Sequence, residues 1–252
     1  MNPAGPQAVT PGVRSADPRR GMQLHVADDA AAAAEQAAQW IARQARQCVQ
    51  RDGRCVLAVS GGTTPQAMFA ALVEADVPWK AVHLVQVDER LAPLGDDSRN
   101  LTHLRHDLLD RVPLPRKQVY RMPAEADDPV AAARRYAKTL EALAGSPPVF
   151  DIVHLGLGED GHTASLVPKD PVLEVRDEEV AVTAFYKGRR RMTLTYPALD
   201  RARHRLWLVT GSPKSAMLAR LLQGDITIPA GRVESQRSVL FADRAAAAAV
   251  PA

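Results

Sequence analysis

The run Gly156-Leu157-Gly158-Glu159-Asp160-Gly161-His162 holds the residues best suited to proton transfer. It follows the apolar stretch from Phe150 to Leu155, so it belongs at the end of a strand. An imidazole can take and return a proton near neutral pH, and a carboxylate two residues away can fix its tautomer and raise its basicity. Taken literally, the run also contains Gly-x-Gly-x-x-Gly, the dinucleotide fingerprint. Glu159 and Asp160 would then put negative charge where a pyrophosphate must sit. The acidic residues near the next strand, Glu178 and Glu179, precede it rather than close it. The run therefore reads as a glycine-hinged loop. It presents His162 as general base, with Asp160 orienting it and Gly158 and Gly161 in support.

Three other segments carry chemistry. In Ser60-Gly61-Gly62-Thr63-Thr64-Pro65, two glycines allow a tight turn with exposed N–H groups. The next helix points its positive pole at the same spot, which suits a phosphate. The plain alternative is a turn with Thr64 as N-cap and Pro65 at the first helical position. Gly-Gly followed by two hydroxyl residues favours phosphate. In Ser212-Pro213-Lys214, Ser212 reads as an N-cap, and Lys214 in a first helical turn opposes the helix dipole. A cation placed there suggests an anion beside it; the plain alternative is a lysine that simply points into water. In Asp88-Glu89-Arg90, charges directly after a buried strand must line a crevice, the plain alternative being a solvated loop start. Arg90 offers a fork for phosphate, and Asp88 could orient a catalytic group or a sugar hydroxyl. The run Arg189-Arg190-Arg191 reads chiefly as a solvated loop, and secondarily as a group that helps attract an anionic substrate.

These segments need a scaffold that gathers strand ends. Strand-like and helix-like stretches alternate from Met22 onward. Strands are expected at 22–26, 55–59, 82–87, near Val119, at 150–155, 205–209 and 238–241. Helices are expected at 28–50, from Pro65, at 101–109, 129–143 and through Leu222, with a loop at 88–98. A β pair near 180–196 surrounds the Arg run. This alternation predicts an α/β fold, a doubly wound, mostly parallel sheet flanked by helices in a modified Rossmann-like manner, with that small β insertion. Ligands of such sheets bind beyond the carboxyl ends of the strands, where all four segments fall.

Composition sets bounds. The chain has 252 residues, 46% of them hydrophobic and 4% aromatic. Its core must be built from Ala, Val and Leu, which suits helices on a parallel sheet. The net charge of +3, from 32 basic and 29 acidic residues, is too small to argue for nucleic acid. Cys48 and Cys55 are the only cysteines and read as buried small hydrophobes, not as a disulfide framework. No apolar run approaches the ~20 residues that span a bilayer. Residues 1–21 lack the apolar core of a secretory signal and read as a disordered extension. Residues 22–244 read as one α/β domain, and 245–252 as a flexible tail. The expected compartment is the cytoplasm. His25, His83, His154 and His204 lie in or beside strands and read as structural. His103 and His106 share a helix face without a third ligand, so no metal site is expected. The missing Gly-x-Ser-x-Gly elbow argues against a serine hydrolase.

In five segments the chain resembles the 6-phosphogluconolactonase family. They are Leu57 to Pro65, Val87 to Arg90, Leu155 to Leu166, Arg191-Met-Thr-Leu-Thr195 and Gly211-Ser-Pro-Lys214. The resemblance spans Met22 to Phe241, and Gly158-Glu-Asp-Gly-His-Thr-Ala-Ser-Leu166 is its most specific part. It departs at Asp97-Ser98-Arg99-Asn100, where an arginine separates a serine and an asparagine expected to be adjacent. The resemblance implies hydrolysis of a small phosphorylated sugar lactone, 6-phospho-D-glucono-1,5-lactone, in the pentose phosphate pathway. It implies no cofactor, no metal and no obligate protein partner. His162 and Asp160 would be catalytic, while Ser60, Gly61, Gly62, Thr63, Arg90 and Lys214 would bind the phosphate. The rival reading is glucosamine-6-phosphate deaminase, whose loop carries a glutamate where this chain has Val167. A non-catalytic sugar-phosphate sensor is a third, disfavoured because His162 and Asp160 are both present.

Overall fold

The computed structural model of the protein describes residues 22–251, so the expected extension over 1–21 lies outside the described residues. Its elements in chain order are β1 (Met22–Ala27), α1 (Ala30–Asp52), β2 (Cys55–Val59), α2 (Pro65–Glu74), β3 (Val82–Gln86), β4 (Asp88–Arg90) and α3 (Asn100–Leu104). There follow β5 (Val119–Tyr120), α4 (Pro129–Ala144), β6 (Ile152–Leu155), β7 (Val180–Val182), β8 (Arg191–Leu194) and α5 (Tyr196–Asp200). The chain ends with β9 (His204–Val209), α6 (Ser215–Leu222), β10 (Ser238–Asp243) and α7 (Arg244–Ala247).

Local chemistry explains the longest helix. Asp29 caps α1 by accepting from the Ala32 N–H at 2.8 Å. Gly53, at φ 73°, ends it in the left-handed conformation that glycine adopts without cost. Between these signals Ala33, Ala37, Ile41, Ala45 and Cys48 recur on one buried face. Their small volume lets the helix lie close on the sheet.

That sheet has seven strands in the order β1-β10-β9-β6-β2-β3-β5, and every pairing in it is parallel. Its inner strands are buried on both faces. One face packs Leu57, Leu84, Leu206 and Phe241 under α1 and α2. The other packs Val56, Val153, Trp207 and Leu240 under α4, α5 and α6. At ~25 cal/mol per Å² of apolar surface, each such aliphatic side chain contributes ~1.5–3 kcal/mol to folding.

Three differences from the sequence expectations matter. Asp88–Arg90 is strand β4 rather than the start of a loop. It joins a separate antiparallel sheet in the order β4-β8-β7. The helix expected over 101–109 is α3 followed by a π-helical turn, Arg105–Leu109. Residues from 245 were expected to be a flexible tail. Instead Arg244–Ala247 form α7, capped by the Asp243 carboxylate, with Ala246 buried. Among the described residues, no helix is long and apolar enough to cross a membrane.

Candidate active site

Strands β9, β6, β2 and β3 are neighbours in the sheet. The segments that follow them open onto one cavity of about 180 Å³. Its wall includes Ser60, Gly61, Gly62 and Thr63 after β2, and Asp88 and Arg90 after β3. Gly158 and His162 follow β6, and Lys214 follows β9. The sequence-predicted residues are therefore brought together, except that Asp160 acts from behind His162 and Gly161 shapes the loop.

The His162 loop is a tight turn. Gly158 N–H donates to the His162 carbonyl at 2.8 Å, and Gly161 N–H to the Gly158 carbonyl at 3.0 Å. Gly161 has φ 81°, and a Cβ there would lie 2.7 Å from that of Ile228. A Cβ on Gly158 would lie 2.0 Å from His162 Nδ1. Glycine is thus required at 158 to leave space for the imidazole itself. His162 Nδ1 lies 2.5 Å from Asp160 Oδ1. With Asp160 ionised, Nδ1 carries the proton and Nε2 keeps its lone pair free as a base. Burial alone would push the Asp160 carboxyl up, but hydrogen bonds from His162 and Tyr186 outweigh it and hold it down at about 2.

The cation side is built differently. Arg90 donates to the Ser98 carbonyl at 3.0 Å and to Asn100 Oδ1 at 2.5 Å. Asn100 in turn donates to the Asp88 carbonyl at 3.0 Å. Asp88 Oδ2 accepts from the Ser165 hydroxyl at 2.6 Å, so Asp88 anchors the wall rather than His162. Gly61 passes so close to Asn100 that a Cβ would lie 2.2 Å from its Oδ1. Ser60 donates to the His154 carbonyl at 2.9 Å, tying the β2 loop to β6. Lys214 Nζ sits 3.6 Å from Glu159, across the cavity mouth. Ser212 is not an N-cap. A short 3-10 turn, Ser212–Lys214, precedes α6 and has no side-chain cap. Gly211, at φ 90°, turns the chain there. Thr64 likewise makes no capping bond, while Pro65 does open α2.

Several residues were misread from the sequence. Arg191 is buried rather than solvated, and it lines the cavity with its Nε unpartnered. Its guanidinium lies 5.0 Å over the Tyr186 ring. Burial lowers its pKa from the ordinary arginine value. Tyr186 was not singled out by sequence, yet its hydroxyl donates to Asp160 Oδ2 at 2.8 Å. His154, by contrast, is a buried residue of β6 as expected, and it also borders the cavity with both ring nitrogens unpartnered. Burial pushes its pKa down to about 3, so the ring stays neutral. Glu89 does not line the crevice. It is fully buried beside Arg99.

Cys48 and Cys55, read as separate small hydrophobes, gather with Asp151 so that their ligand atoms lie within 4.8 Å of one another. Both Asp151 oxygens are already engaged. One accepts from the Val56 N–H at 2.8 Å, and the other meets Arg51 and Arg203.

Comparison with known proteins agrees with this geometry. Residues 28–241 match the family described as glucosamine-6-phosphate isomerases/6-phosphogluconolactonase. A human 6-phosphogluconolactonase is 37% identical over 225 residues, covering 83% of this chain and 86% of that one. The structure of a 6-phosphogluconolactonase from Trypanosoma cruzi superposes with a TM-score of 0.81 at 25% identity, over 91% of this chain and 97% of that one. A monomeric glucosamine-6-phosphate deaminase shares the fold, with a TM-score of 0.79 at 20% identity over 90% of this chain and 100% of that one.

Proposed function

The chain belongs to the family of glucosamine-6-phosphate isomerases and 6-phosphogluconolactonases, and from that premise we propose that it hydrolyses 6-phospho-D-glucono-1,5-lactone to 6-phospho-D-gluconate. One observation carries the reading. An imidazole anchored through Nδ1 leaves Nε2 free beside a cavity ringed by Arg90, Arg191 and Lys214. The cations and the Ser60 to Thr63 backbone hold the 6-phosphate. His162 Nε2 takes a proton from water as the water oxygen bonds to the lactone carbonyl carbon. Collapse of the tetrahedral intermediate breaks the ring C–O bond, and the imidazolium returns its proton to the departing ring oxygen. Backbone N–H groups near the glycines, or Arg90, stabilise the oxyanion. The lactone is already an activated ester, so this route calls on no metal and no covalent nucleophile. The domain expected over 22–244 would act in the cytoplasm, as a step of sugar-phosphate oxidation, without an obligate partner.

Val167 separates this reading from deamination. The deaminase resemblance calls for a glutamate there, and the residue is an aliphatic side chain 3% exposed. The test mixes purified protein with freshly generated 6-phosphogluconolactone and follows product through 6-phosphogluconate dehydrogenase, with spontaneous hydrolysis subtracted. Glucosamine 6-phosphate is run in parallel. Hydrolysis above background without ammonia release supports the lactonase. Ammonia from the amino sugar overturns it, and tight binding without turnover favours a sensor.

The phosphate placement has its own test. Lys214→Ala is expected to raise KM roughly ten-fold, with kcat within about two-fold of the parent, as for loss of a contact equal in ground and transition states. An unchanged KM would move the phosphate elsewhere in the cavity.

A further inference from the structure

We infer that Tyr186 is a positioning residue for the catalytic base, acting through Asp160 from the tip of the hairpin that joins β7 to β8. The inference rests on the lactonase reading of His162. Asp160 is gripped from two sides. His162 Nδ1 takes one carboxylate oxygen at 2.5 Å, and the Tyr186 hydroxyl donates to the other at 2.8 Å. A carboxylate held at both oxygens cannot rotate about its own bond, so the imidazole plane is fixed as well.

The tyrosine is itself held in place. Its backbone forms an antiparallel bridge with Arg189. Its ring packs edge-on against His162, with centroids 5.8 Å apart. Arg191 and Lys187 lie over the ring at 5.0 and 5.3 Å. Arg191 also lines the cavity. One ring thus touches a cation facing the substrate and the acid–base pair together.

The hydroxyl also shapes the chemistry. By donating to Asp160 it draws charge off the carboxylate, making Asp160 a weaker partner for the imidazolium. The charged and titratable groups facing the pair are Glu159 on its own loop, Tyr186, Lys187 and Arg191 from the hairpin and β8, Asp88 and Arg90 from β4, and Lys214 before α6. Removing the hydroxyl alone leaves all the others in place. It strengthens the attraction of Asp160 for a protonated His162.

The test is Tyr186→Phe, which keeps the ring and its packing. For the lactone, kcat is expected to fall roughly ten-fold, the scale of one hydrogen bond to a charged group, with KM unchanged. The acid limb of kcat/KM moves to higher pH. A merely structural tyrosine would leave that limb in place. Nitrogen-15 NMR of the His162 ring, recorded without substrate, gives a readout independent of turnover. The parent should show one neutral tautomer, protonated on Nδ1, and Tyr186→Phe a mixture or a shifted titration. Identical ring spectra, pH limb and kcat in the two proteins would overturn the inference. If the parent fails to hydrolyse the lactone, the lactonase reading fails, while the ring spectra still decide whether Tyr186 positions His162.

Discussion

His162→Ala lowers kcat for the phosphorylated lactone by ~10²–10⁴ while leaving KM nearly unchanged, as expected for loss of a general base that contributes little to ground-state binding. The geometry gives this prediction its sign. His162 Nδ1 is occupied by Asp160, and only Nε2 is free to act. The groups proposed to bind the phosphate lie on other segments, after β2, β3 and β9. On the proposed reading, removing the imidazole would strip chemistry from the site without removing its proposed anion grip. The check is a steady-state series in lactone, with spontaneous hydrolysis subtracted at each concentration. Unchanged kcat would remove His162 from the mechanism, and a large rise in KM at constant kcat would make it a binding residue.

The second large effect is on stability. Arg99→Ala is expected to reduce the free energy of unfolding by ~3–5 kcal/mol, the cost of breaking a buried ion pair by removing one partner. Arg99 and Glu89 are both fully buried, with 3.4 Å between Arg99 Nε and Glu89 Oε2. Arg99 also donates to Glu125 at 2.9 Å and to the Met122 carbonyl at 3.1 Å. Glu89 accepts from the backbone N–H groups of Asn100 and Leu101 at 2.7 and 2.8 Å, so it pins the start of α3. Without Arg99 this carboxylate stays buried without its closest cation, and the space of a large side chain is left empty. Urea denaturation of the two proteins measures the difference. The paired replacement Glu89→Gln with Arg99→Met should recover part of the loss, because it removes both charges. A loss below about 1 kcal/mol for the single change would mean that water enters and solvates Glu89.

The same pair shows why part of the site was illegible in the sequence. Asp88-Glu89-Arg90 has no alternation of apolar and polar residues, so nothing in it signals a strand. It becomes one because β8 supplies an antiparallel partner about a hundred positions later. A charge run is ordinarily a solvated face. Only the tertiary fold shows that Glu89 turns inward to meet Arg99, while Arg90 turns toward the cavity. Arg191 was hidden in the same way, inside an arginine run whose other members stay more exposed. Tyr186 carried no signal at all. Its partner Asp160 is 26 positions away, and a lone tyrosine in a polar turn is ordinary.

Asp160 and His162, by contrast, were legible because a local turn of few residues positions them. The Gly-Gly loop was legible because a tight turn favours glycine locally, as the φ of 114° at Gly62 shows, although the need for Gly61 comes from its distant neighbour Asn100. The parallel sheet was legible from its long apolar runs, which follow from burial on both faces. The helix at Arg244 was missed because an alanine run ending in Pro looks frayed. Its Asp243 cap and the burial of Ala246 supply the missing order.

Val87 is the seam between the two sheets. Its N–H donates to the Val59 carbonyl of the large sheet at 3.0 Å, and its carbonyl accepts from Leu194 of the small one at 2.8 Å. The cavity straddles that seam, with Lys214 on one bank and Arg90 and Arg191 on the other. On the second bank Arg90 repels Arg191, and the charges of Asp88 and Asp160 offset part of that repulsion. An anion bound between the banks, as proposed for the substrate's phosphate, would act as mortar and stabilise the folded chain by mass action. If Arg90 and Arg191 hold that phosphate as proposed, they serve opposite masters: stripping one would remove their mutual repulsion while loosening the hold on substrate, so selection for a sturdier protein and selection for a hungrier one would pull this crevice in different directions.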